Sequence, residues 1–312
     1  MPREEDILLL LEKTLKGSEL EETVGSSAVG TLYKINHPDY GTVALKYLEG
    51  QILKNQKSLK KLLAEVEHSQ EIEHPNFAQI YEVHAQPTPF IIREWVEGEN
   101  LSDRLTSGAL PSLEATEFLM YVSIALQAAY NFEIHHRNIK PSNIIITDDN
   151  SVKVVDFSYP PNTGIPSCYY LSPEIISGKK FSIKSDIYSI GALYYETLTG
   201  QAPFDGASCK EIIKKHQDEP YPNVPGLPEE IKEILDKTLA KNPDERYEDL
   251  LKLAHGLKKA RKRLMSDEGL QDSLTKESVT FTLPSSAEKL MEMAKKALEE
   301  SQKSKANSEQ SQ

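Results

Sequence analysis

Cysteine is almost absent. Cys168 and Cys209 are the only two in 312 residues and do not form a CxxC pair, which excludes a disulfide framework and a cysteine-ligated zinc site. A reducing compartment is therefore the expectation. Positive charge is also short: 36 Lys and Arg against 48 Asp and Glu leave a formal charge of −12. Nucleic-acid binding draws its energy from a basic excess, so that class of partner is not expected. Long apolar runs are missing too, and nothing approaches the ~18 residues of a membrane-spanning helix. The Leu-rich start, ILLLL at residues 7–11, follows Glu4, Glu5 and Asp6 instead of a basic stretch. It reads as a short helix capped by Asp6, not as a signal peptide, and the chain is expected to be cytoplasmic. No internal repeat is visible.

What remains is an ordinary soluble composition, long enough for one large or two small domains with a real core. Two β-rich runs, GTLYKI and GTVALKYL, flank HPDYG at residues 37–41, whose Pro, Asp and Gly are turn chemistry. Just before them, GSSAVG at residues 25–30 is a small-residue loop. Small side chains let backbone N–H groups approach a phosphate, although a plain hairpin turn has the same composition. Leu59, Leu62, Leu63 and Val66 recur at helical spacing, predicting an amphipathic helix over residues 58–72 with Glu65 at the flank of its apolar stripe. AQIYEVH at 78–84 and FIIREWV at 90–96 read as strands.

Beyond residue 98 the chain turns helical. A long helix is predicted over 112–132 with Ser112 as its cap, and a strongly apolar one over 183–198 carries the single acid Asp186, which must find partners. Others fall around 209–217, 228–240 and 247–262; KKARKR at 258–263 ends the last, where the helix dipole favours cations. Among them lies IHHRNIKPSNIII, residues 134–146, followed by the turn DDNS and by VVDFS at 154–158. This is a loop framed by two short buried strands that aims Lys140, Asn143 and Asp156 at one place. Such a cluster suits a polyanion and its metal ion.

Taken in order, these motifs resemble the eukaryotic-type protein kinase family, in particular its Ser/Thr branch, over residues 20–263. The resemblance implies an α+β, bilobal fold, with a small β-rich N-lobe (20–97), a larger helical C-lobe (98–263), and ATP and Mg²⁺ as ligands. Lys46, in VALK, would hold the α- and β-phosphates, and Glu65 would pair with it from the helix. Gly25, Ser27 and Gly30 align with the three glycines of the phosphate loop. Leu32 and Ala44 would sandwich adenine, and the backbone of residues 94–96, from Glu94 to Val96, would bind its edge. HHRNIKPSN resembles the catalytic loop: Lys140 would neutralise the γ-phosphate, and Asn143 with Asp156 would hold Mg²⁺. Glu174 and Arg246 would form a buried pair, and Asp186 would bind the catalytic-loop backbone.

The departures are as informative. Asn138 stands where the family has the carboxylate that accepts the substrate proton. Ser27, Ser158 and Ser167 replace a glycine, a glycine and a threonine, and Arg93 falls at a usually apolar position before the hinge. The segment from Asp156 to Glu174 is short, with Thr163, Tyr169 and Tyr170 available for modification. Two readings follow: a catalytically impaired pseudokinase that signals or scaffolds through a protein partner, or an active but slow Ser/Thr kinase. A third places function in the ends. These are a helical extension at 1–19, a linker at 264–284, an amphipathic helix at 285–300 expected to dock on the main domain, and a disordered tail at 301–312.

Overall fold

The computed structural model describes residues 4–27, 29–157 and 168–272. Ser158, Thr163 and Ser167, the 285–300 helix, the tail and most of the expected linker lie outside the described residues.

After α1 (Glu4–Thr14), five antiparallel strands build the small lobe: β1 (Glu19–Ser27), β2 (Gly30–His37), β3 (Gly41–Leu48), β4 (Ile80–His84) and β5 (Phe90–Glu94). Their order in the sheet is β1-β2-β3-β5-β4. Period-2 alternation divides the sheet into two apolar faces. Tyr33, Ile35, Val43, Leu45, Phe90 and Ile92 pack on Ile7, Leu10, Leu11 and Leu15, so the Leu-rich start docks on its own domain. The opposite face offers Leu48, Ile80 and Ile91 to Leu59, Leu62, Leu63 and Val66 of α3 (Gln56–His68), which follows the short α2 (Gln51–Lys54). Asn55 caps α3 by accepting the Ser58 N–H at 3.0 Å. Gly30 opens β2 where a Cβ would lie 2.0 Å from the Tyr47 carbonyl oxygen, so only glycine lets β2 and β3 close there.

The large lobe begins with β6 (Glu99–Asn100), α4 (Leu101–Thr106) and α5 (Ser112–Asn131). Pro111, not Ser112, holds the cap position of α5. β7 (Ile144–Ile146) is the central strand of a three-stranded antiparallel sheet, pairing with β6 on one side and β8 (Val152–Val154) on the other. There follow α6 (Pro173–Ile176), α7 (Ile183–Thr199), α8 (Cys209–Asp218), α9 (Glu229–Thr238) and α10 (Leu250–Asp272). α7 is the axis of this core: Ile187, Tyr188, Leu193 and Tyr194 are fully buried against Leu119 of α5 and Leu257 of α10. It stops at Gly200, whose φ of 75° ends the helix in the left-handed region. α10 runs on to Asp272, into the stretch expected as linker, and Leu264 is still buried there. Among the described residues no helix is long and apolar enough to cross a membrane.

The lobes are stitched together at β8. Val154 N–H donates to the Asn76 carbonyl at 2.9 Å, Ala78 N–H donates to the Val154 carbonyl at 3.0 Å, and the Asn76 amide donates to the Val152 carbonyl at 2.7 Å. Asp156 therefore emerges directly beneath the small-lobe sheet.

Candidate functional site

Alternation along β3 sends Val43 and Leu45 toward α1 and Ala44 and Lys46 to the other side, facing the large lobe. Ala44 is fully buried; Leu32, opposite Lys46 on β2, is half-buried. The buried Lys46 Nζ lies 3.8 Å from Asp156 Oδ2 and donates to Ser27 Oγ at 3.4 Å. Ser27 Oγ in turn donates to the Gly30 carbonyl at 3.0 Å. The hydroxyl that replaces the middle glycine is thus turned inward onto the lysine, a contact that composition did not reveal. Gly25 sits opposite Leu32 with open space around it.

The loop after α5 is fixed by buried polar groups. Asp186 accepts the backbone N–H groups of His136 and Arg137, each at 3.2 Å, so the single acid of α7 finds its partners in this loop. Burial pushes its pKa up to about 7 in spite of those bonds. His136 is the second anchor: its Nδ1 accepts the Asn138 N–H at 3.2 Å, leaving Nε2 to donate to the Val155 carbonyl at 3.1 Å. Burial depresses its pKa to about 4, so the ring is neutral. It packs on Phe157 with centroids 4.6 Å apart, and Phe157 packs on Phe77 at 3.8 Å. Asn143 donates from its side-chain amide to the Asn138 carbonyl at 2.7 Å, and its backbone carbonyl accepts the Val155 N–H at 3.0 Å. Arg137 and Asp156 have φ values of 63° and 59°, an unfavourable region costing roughly 1–3 kcal/mol each, and such strain collects at functional sites.

Asp156 is the electrostatic centre. Burial raises its pKa, but Lys46, Arg93 and Lys140 outweigh burial and hold the carboxyl below the usual range. Lys140 is pushed down, first by burial and also by Lys46, against the pull of Asp156. Lys46 and Lys140 thus face Asp156, while Asn138 and Asn143 lie on the loop hydrogen-bonded to the strand end that carries it.

One expectation is corrected. Glu65 does not pair with Lys46; it is held by Arg137, whose Nη1 donates to Oε2 at 2.5 Å and Nη2 to Oε1 at 3.0 Å. A bidentate guanidinium–carboxylate fork outcompetes a point-charge ammonium where both are within reach. Arg93, the charge at a usually apolar position, pairs inside the protein. It is buried, with Nε 3.5 Å from Asp156 Oδ1 and Nη1 donating to the Glu94 carbonyl at 3.0 Å. The Glu94 carbonyl thus already accepts one donor, and its N–H donates to the Gln79 carbonyl at 2.8 Å. The Glu94 carboxylate is engaged by Lys153 at 2.5 and 2.7 Å, while Val96 is buried against Ala78 and Val155. The one early signal was the charge of Arg93 inside an apolar strand.

Two further groups lie in the large lobe. Arg246 grips both Glu174 oxygens at 2.8 and 2.9 Å, the buried pair that the resemblance implied. Beside Lys140 opens a cavity of about 520 Å³, lined also by Ser142, Tyr169, Tyr170, Glu196 and Asp205. The Tyr170 hydroxyl donates to Glu196 at 2.6 Å. No spacing in the sequence announced that pair.

The protein kinase domain family matches residues 18–257, most of the chain and all of this site. The chain belongs to the protein kinase family. It is 33% identical over 222 residues to serine/threonine-protein kinase PrkC of Bacillus subtilis, covering 66% of this chain and 34% of that protein. To serine/threonine-protein kinase PknB of Mycobacterium leprae it is 29% identical over 270 residues, covering 78% of this chain and 43% of that protein. To PknB of Mycobacterium tuberculosis it is 32% identical over 228 residues, 66% and 36% of the two chains. The α+β, two-lobed kinase fold is thus established, while the chain spans well under half the length of these relatives.

The family in general uses ATP and Mg²⁺. Here both Asp156 oxygens already face cations of the chain itself, Arg93 at 3.5 Å and Lys46 at 3.8 Å. Asp156 and Asn143 are the oxygen donors expected for Mg²⁺, but in this arrangement the residues present do not fit a divalent cation.

Proposed function

We propose that this chain is a nucleotide-binding kinase domain whose phosphoryl-transfer step is severely impaired and which acts through protein partners. The observation that carries the reading is Asn138. Its backbone is locked on both sides, by His136 Nδ1 at 3.2 Å and the Asn143 amide at 2.7 Å, in a loop that otherwise keeps Lys140 and Asn143. An amide there can orient a hydroxyl but cannot take its proton, and positioned general-base catalysis contributes about 10²–10⁴-fold. Lys46 and Lys140 supply the positive charge for a triphosphate. The cavity beside Lys140, with the carboxylates of Glu196 and Asp205 on its wall, is where a polypeptide bearing basic residues would approach.

The alternative, a slow Ser/Thr kinase, is favoured by the retained Lys140 and by the packed Phe77–Phe157–His136 stack. Positioning and charge stabilisation supply much of phosphoryl transfer without a base. Transfer of γ-phosphate from labelled ATP to a generic protein acceptor separates the two. The impaired-transfer reading expects little turnover in the wild type and a gain of about 10²–10⁴ in Asn138→Asp. A brisk wild-type rate that Asp156→Ala abolishes and Asn138→Asp does not improve would sink it.

A further inference from the structure

Two departures described above coincide in charge. In the arrangement implied by the resemblance, Lys46 and Lys140 face Glu65 and Asp156, and the cleft is formally neutral. A neutral cleft needs a divalent cation to hold a triphosphate. In this structure Glu65 has left for Arg137 and Arg93 has entered against Asp156. One negative charge is gone and one positive charge is gained, so Lys46, Lys140 and Arg93 face Asp156 alone. The cleft carries a formal excess of two positive charges, the charge of one Mg²⁺. The Arg93 Nε is buried 3.5 Å from Asp156 Oδ1, an ion pair that does not close into a hydrogen bond.

We propose that Arg93 takes the place of the divalent cation beside Asp156, so that this cleft binds a nucleoside triphosphate without metal. The inference rests on the nucleotide-binding reading and deepens it. Mg²⁺ on Asp156 would sit against the guanidinium, and metal would oppose binding or leave it unchanged. Arg93 further engages the Glu94 carbonyl, which ties the hinge to the same cation.

The test is equilibrium binding of ATP to the full chain, by calorimetry, in EDTA and in excess Mg²⁺. The wild type is expected to bind in EDTA at least as tightly as in Mg²⁺. Arg93→Met should weaken binding in EDTA by about tenfold or more, the value of a hydrogen bond to a charged group, and should make binding Mg²⁺-dependent. Arg93→Lys, which keeps the charge, should retain binding in EDTA; cooperative urea unfolding of each variant verifies that it is folded. Wild-type binding that requires Mg²⁺ overturns the inference and leaves the nucleotide reading standing. An Arg93→Met variant with an unchanged ratio of the two affinities overturns it as well. Absence of ATP binding in both buffers, in the wild type and in Arg93→Met, removes the nucleotide reading and this inference together.

Discussion

The resemblance assigns Glu65 to Lys46, whereas the structure commits it to Arg137. That commitment predicts a thermodynamic coupling that a double-mutant cycle can read. The Arg137–Glu65 contact is bidentate, at 2.5 and 3.0 Å, and the two side chains are 15% and 23% exposed. A fully exposed pair would contribute about 0.2–1 kcal/mol, whereas charge-assisted hydrogen bonds sheltered from water contribute about 1.5–3 kcal/mol. Partial exposure places the coupling near the lower end of the second range, about 1.5–2 kcal/mol. Urea unfolding of the wild type, Arg137→Met, Glu65→Gln and the double variant supplies the cycle. The Arg137 backbone N–H keeps Asp186 satisfied in each variant, so the anchoring of the loop is not removed along with the pair. A parallel cycle with Lys46→Met and Glu65→Gln should give a coupling under about 0.5 kcal/mol, because no contact joins that pair. A Lys46 coupling equal to or larger than the Arg137 coupling would refute the assignment, and with it the charge argument for Arg93.

Arg246→Met should destabilise the chain by about 3–5 kcal/mol, because it strands Glu174 in a site where the two side chains are 0% and 5% exposed. Urea midpoints measure this, and pairing the change with Glu174→Gln should recover part of the loss. Acid should unfold the protein early. His74, His136 and His216 are kept neutral by burial, with pKa values lowered to about 4, about 4 and about 3. Unfolded, each titrates near 6.5, so stability present above that pH is lost as pH falls toward 4. Asp186, raised to about 7, has the opposite sign: its folded carboxyl keeps a proton that the unfolded chain gives up between about pH 4 and 7. At roughly 3 kcal/mol per histidine against roughly 4 kcal/mol for Asp186, the net effect is a loss of several kcal/mol. Urea midpoints at pH 7 and 4.5 measure it, and a rise on acidification would contradict these assignments.

Much of this architecture is written in local patterns. Alternation in GTLYKI and GTVALKYL gives β2 and β3, and the spacing of Leu59, Leu62, Leu63 and Val66 gives α3 and its buried face. The partners of Asp186 and Glu174 also follow, since a buried acid must meet a donor and the family's order says which. What stayed hidden was the choice among equivalent partners. The resemblance offers Lys46 to Glu65, but the cations that reach it are Arg137 and, at 3.8 Å, Lys61. Arg93 was conspicuous as a charge in a strand, yet whether it would snorkel outward or turn onto Asp156 depends on side-chain packing across two lobes. The extra length of α10 was missed for a similar reason: its sequence loosens toward polar residues while Leu264 still has a core to pack on.

The docking of α1 separates two boundaries that are usually treated as one. Likeness to other kinases starts at residue 18, whereas the packing of this one starts earlier, at Ile7. The small-lobe sheet is the middle layer between two helices, one of which the family pattern does not include. Trimming the chain to the homologous span would remove Ile7, Leu10, Leu11 and Leu15, each contributing about 1.5–3 kcal/mol when fully buried. It would also turn Tyr33, Ile35, Val43 and Phe90 toward water as a sticky face. Insolubility of such a fragment would then report the loss of its lid, not a defect of the kinase fold.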